Sequence, residues 1–465
     1  MHYISTRGHA STLDFKGVLL SGLASDGGLY VPQYWPVLTE NEFRHLRGLA
    51  YPDLAVRILE PFVGNQIPSA ILHTLAKEAY GCFDHQAVIP LVQIDQSLWL
   101  LELFHGPTLA FKDLALQLVS RLFDHVLSGN DKPVTLITAT SGDTGPAVIE
   151  AFRDRKVEIV VLYPKDRISP LQRRQMTTVL SPNVHVLAVD ASFDDCQALV
   201  KAAFNDEALR RECRLATANS INWARIVCQM VYYIAAGVAL GAPDRKVGFV
   251  VPTGNFGNIY AGYGAYRMGL PIDRLIIASN ENDTLPRFFH TGLLEPQKVV
   301  STISPSIDIA LSSNFERFLF ELCGRDSSAL AKDMEMLKKD GKMSVSDDKR
   351  DQACQLFKAY RVDQENVRQT ITQIVTQTQM LIDPHTAVGI AGAYSEYAHD
   401  QTQRSTLIAL ACAHPAKFPE TVTTATGITP NLPTWLRDIY QRPERITVCD
   451  NDEAALGTYL RQLIA

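Results

Sequence analysis

The sequence predicts an α/β protein with parallel-rich open sheets, helices on both sheet faces, and a mainly helical N-terminal region. Three observations lead there. After Pro90, apolar runs of strand length alternate with segments of helical spacing, as parallel strands joined by crossover helices do. Before Pro90, short helical pieces are broken by turns. The 465 residues are 46% apolar and 20% charged, which suits a globular chain of about two or three domains.

Along the first 90 residues, Ser25–Gly28 and Gln33–Pro36 are breakers, and Asp53–Pro61 has helical apolar spacing. Trp99–Phe104 is then a short apolar run. A helix is expected from Thr108, with Phe111, Leu114, Ala115, Leu118, Val119 and Leu122 as its buried stripe. Strands are expected at 134–139, 157–163, 184–189, 247–251, 275–278 and 406–411. Helices are expected at 146–154, 170–180, 194–204, 222–240 and from Asn258. Residues from about 310 to 370 read as charged and helical, and 453–465 as a terminal helix.

Composition excludes several functions. The formal net charge of −6 does not draw nucleic acid, and a phosphate-bearing substrate needs a local site. No two of the eight cysteines stand two to four residues apart, so no zinc ribbon or redox pair is expected, nor any other metal site. Their apolar settings favour reduced thiols and a cytoplasmic protein. The N-terminus lacks an apolar signal core, and no 18-residue apolar stretch exists, so no membrane span is expected. H-E-x-x-H, G-x-S-x-G and the P-loop pattern are all absent.

Ligands of open α/β sheets bind beyond the carboxyl ends of the strands. Five segments there could carry chemistry. Pro252–Asn258 holds Gly254 and Gly257, which let backbone approach a ligand, ahead of a helix N-terminus suited to phosphate. The ordinary alternative is a tight turn. Thr138–Pro146 offers hydroxyls at 138, 140, 141 and 144, more than an N-cap needs, and could grip a carboxylate. His105–Asp113 places Lys112 in the first turn of a helix beside Ala110 and Phe111. The dipole and apolar neighbours there favour a neutral or imine-forming amine. A surface lysine paired with Asp113 is the bland reading. Asn219–Arg225 supplies Asn219, Ser220 and Arg225, all phosphate-binding types, or else a helix cap and a salt bridge. Cys412–Phe418 follows a strand, where a small polar residue would face a cofactor ring, or be a plain buried thiol. Together these meet the needs of pyridoxal 5'-phosphate: a lysine, a phosphate loop, a carboxylate turn and a neutral group near the ring nitrogen.

HGPTLAFKD, TATSGDTG, PTGNFGN, ANSINWAR and HPAKF together closely resemble the threonine synthase family, in its longer bacterial and fungal form. The resemblance runs from the N-terminal residues to about Phe418. It implies the fold type II arrangement of pyridoxal-phosphate enzymes and conversion of O-phospho-L-homoserine and water to L-threonine and phosphate. Lys112 is then the lysine that bonds the cofactor and the catalytic base. Gly254, Asn255, Phe256, Gly257 and Asn258 hold the cofactor phosphate. Thr140, Ser141, Gly142 and Thr144 bind substrate, chiefly its carboxylate, with Thr144 near the substrate phosphate, while Asn219, Ser220 and Arg225 take that phosphate.

Shorter relatives carry Asn at Asp143, where it touches the cofactor's phenolic oxygen. An aspartate donates there only if protonated. Many members have Thr at Cys412, a stronger partner for the ring nitrogen than a thiol. Both residues are kept as cofactor contacts.

The implied domains are 1–90; 91–125 with 222–465, including a helical insertion at about 310–375; and a small α/β domain, 126–221, that closes over the substrate. Monomer or weak homodimer is the expected state. The competing enzyme is a phospho-lyase or dehydratase releasing 2-oxobutanoate. A silent binding protein on the same fold is the non-enzymatic alternative.

Overall fold

The computed structural model describes residues 1–128, 134–399 and 405–464. Two sheets organise it. The larger has six strands in the spatial order Phe357–Arg361, Ile272–Ser279, Val247–Pro252, Leu407–Ala411, Leu98–Glu102 and Leu91–Gln93. All neighbours are parallel except Leu91–Gln93, which runs antiparallel to Leu98–Glu102. The smaller sheet is parallel throughout, in the order Thr447–Cys449, Val184–Val189, Val157–Pro164, Val134–Ala139 and Leu215–Ala216.

Period-2 alternation sorts the large sheet's side chains between two cores. Val250, Ile276, Leu407 and Ala409 face one cluster with Ala387, Val388 and Ile390 of the helix Pro384–His399. Phe249, Val251, Leu275 and Ile408 face the other, with Ile226 and Tyr233 of the helix Trp223–Ala239 and Ile259 of the helix Gly257–Arg267. Because both faces are covered, Val247–Pro252 and Leu407–Ala411 are buried at every position, as central parallel strands are. The small sheet sorts likewise: Val160, Leu162 and Leu187 pack with Leu199, Leu456 and Leu460.

The N-terminal 90 residues carry the helices Phe15–Ser21, Glu40–His45, Tyr51–Val63 and Ser69–Tyr80, plus an antiparallel pair, Tyr3–Ser5 with Tyr30–Pro32. Their apolar side chains enter the same cluster as the helix Trp223–Ala239. Among the described residues no helix is long and apolar enough to cross a membrane.

Three expectations need correction, and one helix was not expected. The helix expected from Thr108 begins at Lys112. Residues 108–111 instead form a turn, in which Leu109 is left-handed at φ +64 and the Asp113 carboxylate accepts both the Thr108 N–H (2.8 Å) and hydroxyl (2.7 Å). The region expected to be a helical insertion holds a strand, Phe357–Arg361, that forms an edge of the large sheet. The chain after 222, expected in the large domain throughout, returns to the small sheet. Thr447–Cys449 pairs with Val184–Val189, and the terminal helix Glu453–Ile464 packs on the helix Phe193–Asn205. Finally, Pro384–His399, which covers one face of the large sheet, drew no helical reading from the sequence.

Candidate active site

A cavity of about 1250 Å³ lies beyond the carboxyl ends of strands from both sheets. Each chemical segment reaches it from a strand end. The turn after Leu98–Glu102 delivers Lys112, and the loop after Val247–Pro252 delivers Gly254–Asn258. The turn after Val134–Ala139 delivers Thr140, Ser141, Asp143 and Thr144, and Leu407–Ala411 ends at Cys412. Asn219, Ser220 and Arg225 line the same cavity from the approach to the helix Trp223–Ala239. Of the residues singled out from the sequence, Gly142 alone is not in the wall. It is buried behind it, where a Cβ would stand 2.8 Å from Gln172 Nε2.

The loop is shaped by anchors on either side. Phe256 adopts the left-handed region at φ +61, which is costly for a bulky residue and therefore needs support. Its buried ring supplies that by packing on Phe315, with centroids 5.0 Å apart. A Cβ on Gly254 would meet the Ser306 carbonyl oxygen at 3.0 Å and Ile307 Cα at 3.3 Å, both backbone atoms that cannot swing aside. The helix then starts at Gly257, so its first N–H groups lack intrahelical partners and face an incoming anion. The Asn258 side chain is already engaged: its Oδ1 accepts from the Tyr232 and Tyr233 hydroxyls at 2.6 and 2.9 Å. Its Nδ2 points toward Cys412 Sγ, 4.0 Å away, so the backbone N–H at the helix start is the group placed for an anion in the loop.

In the 140–144 turn, Thr140 Oγ1 accepts the N–H groups of Gly142 (3.1 Å) and Gly145 (3.0 Å) and donates to the Gly142 carbonyl (3.1 Å). That hydroxyl is used within the turn. Ser141 is exposed and Thr144 half-buried on the cavity wall.

Lys112 does not pair with Asp113. Its side chain is 13% exposed, and Nζ stands 3.4 Å from Asp143 Oδ2. Burial lowers its pKa, and the nearby Lys417 and Arg225 charges add to this against the pull of Asp143. Asp143 accepts on both oxygens: Oδ1 from Lys417 Nζ (2.8 Å) and Gln172 Nε2 (2.9 Å), Oδ2 from Lys112 and the Ser306 hydroxyl (3.1 Å). Burial works to raise its pKa. The Lys417 and Lys112 charges and the hydrogen bonds from Lys417 and Gln172 overcome that and hold it well below the usual range. Asp143 is thus an ionised acceptor, and a donor role toward a cofactor oxygen is closed to it. Cys412 is buried, and burial pushes its thiol well above the ordinary value, so it stays neutral.

Arg225 is 3% exposed. Its Nη1 donates to the Ala218 carbonyl at 3.0 Å, while Nε has no partner among the described residues. Burial lowers its pKa to about 10, so it remains charged. Such a group is costly unless an anion joins it. A largely buried lysine, a loop closed to a Cβ at Gly254, and a buried guanidinium with an unspent donor among the described residues together fit pyridoxal phosphate and a phosphorylated substrate.

Sequence reasoning passed over Lys417, Gln172, Ser306 and His385. Lys417 was in view within HPAKF, but its partner is distant in the chain. His385 Nε2 accepts the Ser306 N–H at 3.0 Å, and Nδ1 donates to Asp383 Oδ1 at 2.8 Å, which fixes a neutral tautomer.

The fold and site define a pyridoxal-phosphate-dependent enzyme of fold type II, and residues 83–412 match the family described as pyridoxal-phosphate dependent enzyme. Residues 2–80 match the threonine synthase N terminus, and 386–460 the threonine synthase C-terminal family. A threonine synthase of Pseudomonas aeruginosa is 48% identical over 99% of this chain and 98% of its own length. The structure of a PLP-bound threonine synthase from Brucella melitensis superimposes with a TM-score of 0.96 at 48% identity, covering 100% of this chain and 99% of that one. The yeast threonine synthase structure gives 0.92 at 38% identity, covering 99% and 98%. The chain belongs to the threonine synthase family.

Proposed function

We propose that the protein converts O-phospho-L-homoserine and water to L-threonine and phosphate, using pyridoxal phosphate. The observation that carries this reading is Lys112, largely buried in one cavity with a glycine loop at a helix N-terminus, a hydroxyl-bearing turn, and a buried arginine whose Nε has no partner among the described residues. Two separate anion sites suit a phosphorylated cofactor and a phosphorylated substrate. The match to threonine synthases along the whole chain supports the same reading.

When bound, pyridoxal phosphate supplies an electron sink for charge developing at the substrate's α-carbon. Lys112 would carry it covalently, and the backbone of Gly254–Asn258 would hold its phosphate. Cys412, neutral at the end of its strand, would lie against the ring. Lys112 Nζ then serves as the base at the α-carbon, because its lowered affinity for a proton leaves more of the free amine at neutral pH. Ser141 and Thr144 would orient the carboxylate. Arg225, with Asn219 and Ser220, would hold the leaving phosphate through charge-assisted bonds. The small sheet and its helices, including residues 126–221 and the terminal strand, close over the substrate and exclude stray water. Eight unpaired cysteines are in keeping with the cytoplasm.

The test is incubation of the cofactor-loaded enzyme with O-phosphohomoserine. Threonine and phosphate in equal amounts are expected. 2-Oxobutanoate as the main product would establish the phospho-lyase instead.

A further inference from the structure

Lys417 is fully buried, at 0% exposure, and does not line the cavity. It ends the short turn Pro415–Lys417 that follows the strand Leu407–Ala411, and His414 caps that turn by accepting the Ala416 N–H. The turn aims the side chain at two acceptors, Asp143 Oδ1 and the Thr108 carbonyl oxygen, each 2.8 Å from Nζ. Thr108 and Lys112 flank the left-handed residue Leu109 within one turn. Lys417 therefore grips both the carboxylate facing Lys112 and the turn that presents Lys112.

We propose that Lys417 is a positioning residue for the reaction at Lys112: from behind the cavity wall it holds Asp143 as an oriented carboxylate and shares its charge, so that Lys112 is not locked into an ion pair and can exchange its proton during turnover. This rests on the reading of Lys112 as cofactor-bonding lysine and base. The geometry divides the two Asp143 oxygens. Oδ1 is taken by Lys417 and Gln172, and Oδ2 is left to Lys112 and Ser306. The 2.8 Å contact is the firmer of the two lysine contacts, and at 3.4 Å Lys112 is the partner free to leave. The other charged or titratable groups around the set are Arg225, Asp113, Cys412 and the His385–Asp383 pair behind Ser306. Asp143 is the acid in direct contact with Lys417 among the described residues, and Asp113 feels the same charge from farther away. Without Lys417, the whole negative charge of Asp143 would fall on Lys112, or on the cationic group formed from it, and strengthen its hold on a proton.

The experiment uses cofactor-loaded parent, Lys417→Met and Asp143→Asn enzymes. Two quantities are followed against pH: kcat for threonine formation, and the cofactor's visible absorbance without substrate. In K417M, the acid limb of the kcat profile and the absorbance midpoint should both move to higher pH by roughly one unit or more. In D143N, both should move to lower pH. Should K417M fail to fold, Lys417→Gln, which keeps a donor but no charge, decides in its place: an alkaline displacement of both midpoints supports the proposal, and parental midpoints overturn it, with D143N as the control for the Asp143–Lys112 contact. A K417M enzyme with lower activity but parental midpoints has lost only packing, and overturns the proposal. Failure of the functional reading would be visible separately, because the parent itself would then make no threonine.

Discussion

Asn314 and Asn255 are joined twice: the backbone N–H of Asn314 and its side-chain Nδ2–H both donate to the Asn255 carbonyl oxygen, at 3.1 and 2.9 Å. The same Nδ2 lies 3.2 Å from the Ser220 carbonyl oxygen. One amide thus ties the loop assigned to the cofactor phosphate to the segment assigned to the substrate phosphate. Arg317, buried against Trp223, secures that amide by donating to Asn314 Oδ1 and to the Ile221 carbonyl.

Replacing Asn314 by Ala should therefore loosen both phosphate sites together. A lost neutral hydrogen bond costs about 0.5–1.5 kcal/mol, and a buried guanidinium left short of an acceptor adds more. Cofactor affinity and KM for O-phosphohomoserine should each worsen by roughly tenfold. Titration of the apoprotein with pyridoxal phosphate and steady-state kinetics check this. A change in only one of the two would show that the bridge does not couple them.

Lys112→Ala should abolish threonine formation while leaving the fold intact. The side chain lies at a helix start, and the apolar stripe from Leu114 to Phe123 is untouched. Loss of a covalent and general-base group should cost several orders of magnitude in kcat. Thermal unfolding should stay near the parent's. Activity within about tenfold of the parent would remove Lys112 from the mechanism.

Arg225→Ala should weaken O-phosphohomoserine binding and spare the cofactor's visible spectrum. One charge-assisted contact is worth about 1.5–3 kcal/mol, so a loss of roughly 10- to 100-fold in apparent affinity is expected. Loss of cofactor with unchanged KM would reverse the assignment of the two phosphate sites.

Asp113 gives a pH prediction for stability. Burial raises its pKa from 3.8 to about 7, although both Thr108 hydrogen bonds oppose the rise. The folded state then binds more protons than the unfolded chain between about pH 4 and 7, so this group destabilises the fold progressively as pH rises through that window, and its penalty is constant above it. Asn at this position can still accept the Thr108 N–H and donate to its hydroxyl. The advantage of D113N over the parent in unfolding free energy should thus grow from pH 5 to pH 7, toward about 4 kcal/mol at most, and then level off, with Tm following the same course. A difference independent of pH, followed by calorimetry, would count against a raised Asp113.

The legible parts were those encoded locally. Val134–Ala139, Val184–Val189 and Val247–Pro252 announce themselves as apolar runs because both their faces are buried. Phe357–Arg361 does not, since an edge strand buried at one residue carries Lys358 and Arg361 and reads as helix in a charged neighbourhood. Pro384–His399 lacks an amphipathic stripe because it is buried at most positions, so no 3.6-residue contrast marks it. Lys112 and the glycine loop stood out by residue type at strand ends, and Asp143 through the family resemblance. Their supports, Lys417, Asn314 and Arg317, act through contacts distant in sequence, which no local pattern displays.

The pairing of Thr447–Cys449 with Val184–Val189 sets an order on synthesis. The ribosome finishes Val184–Val189 long before it makes the strand that covers it. At roughly 5–20 residues per second, that interval is on the order of tens of seconds. Throughout it, an apolar parallel strand presents open N–H and C=O groups along one edge, the arrangement that recruits foreign strands. The nascent chain therefore passes through a sticky stage that lasts until Thr447–Cys449 has been made and has paired. A transcript truncated by a few dozen codons should yield a product prone to clump even though every residue around Lys112 is present.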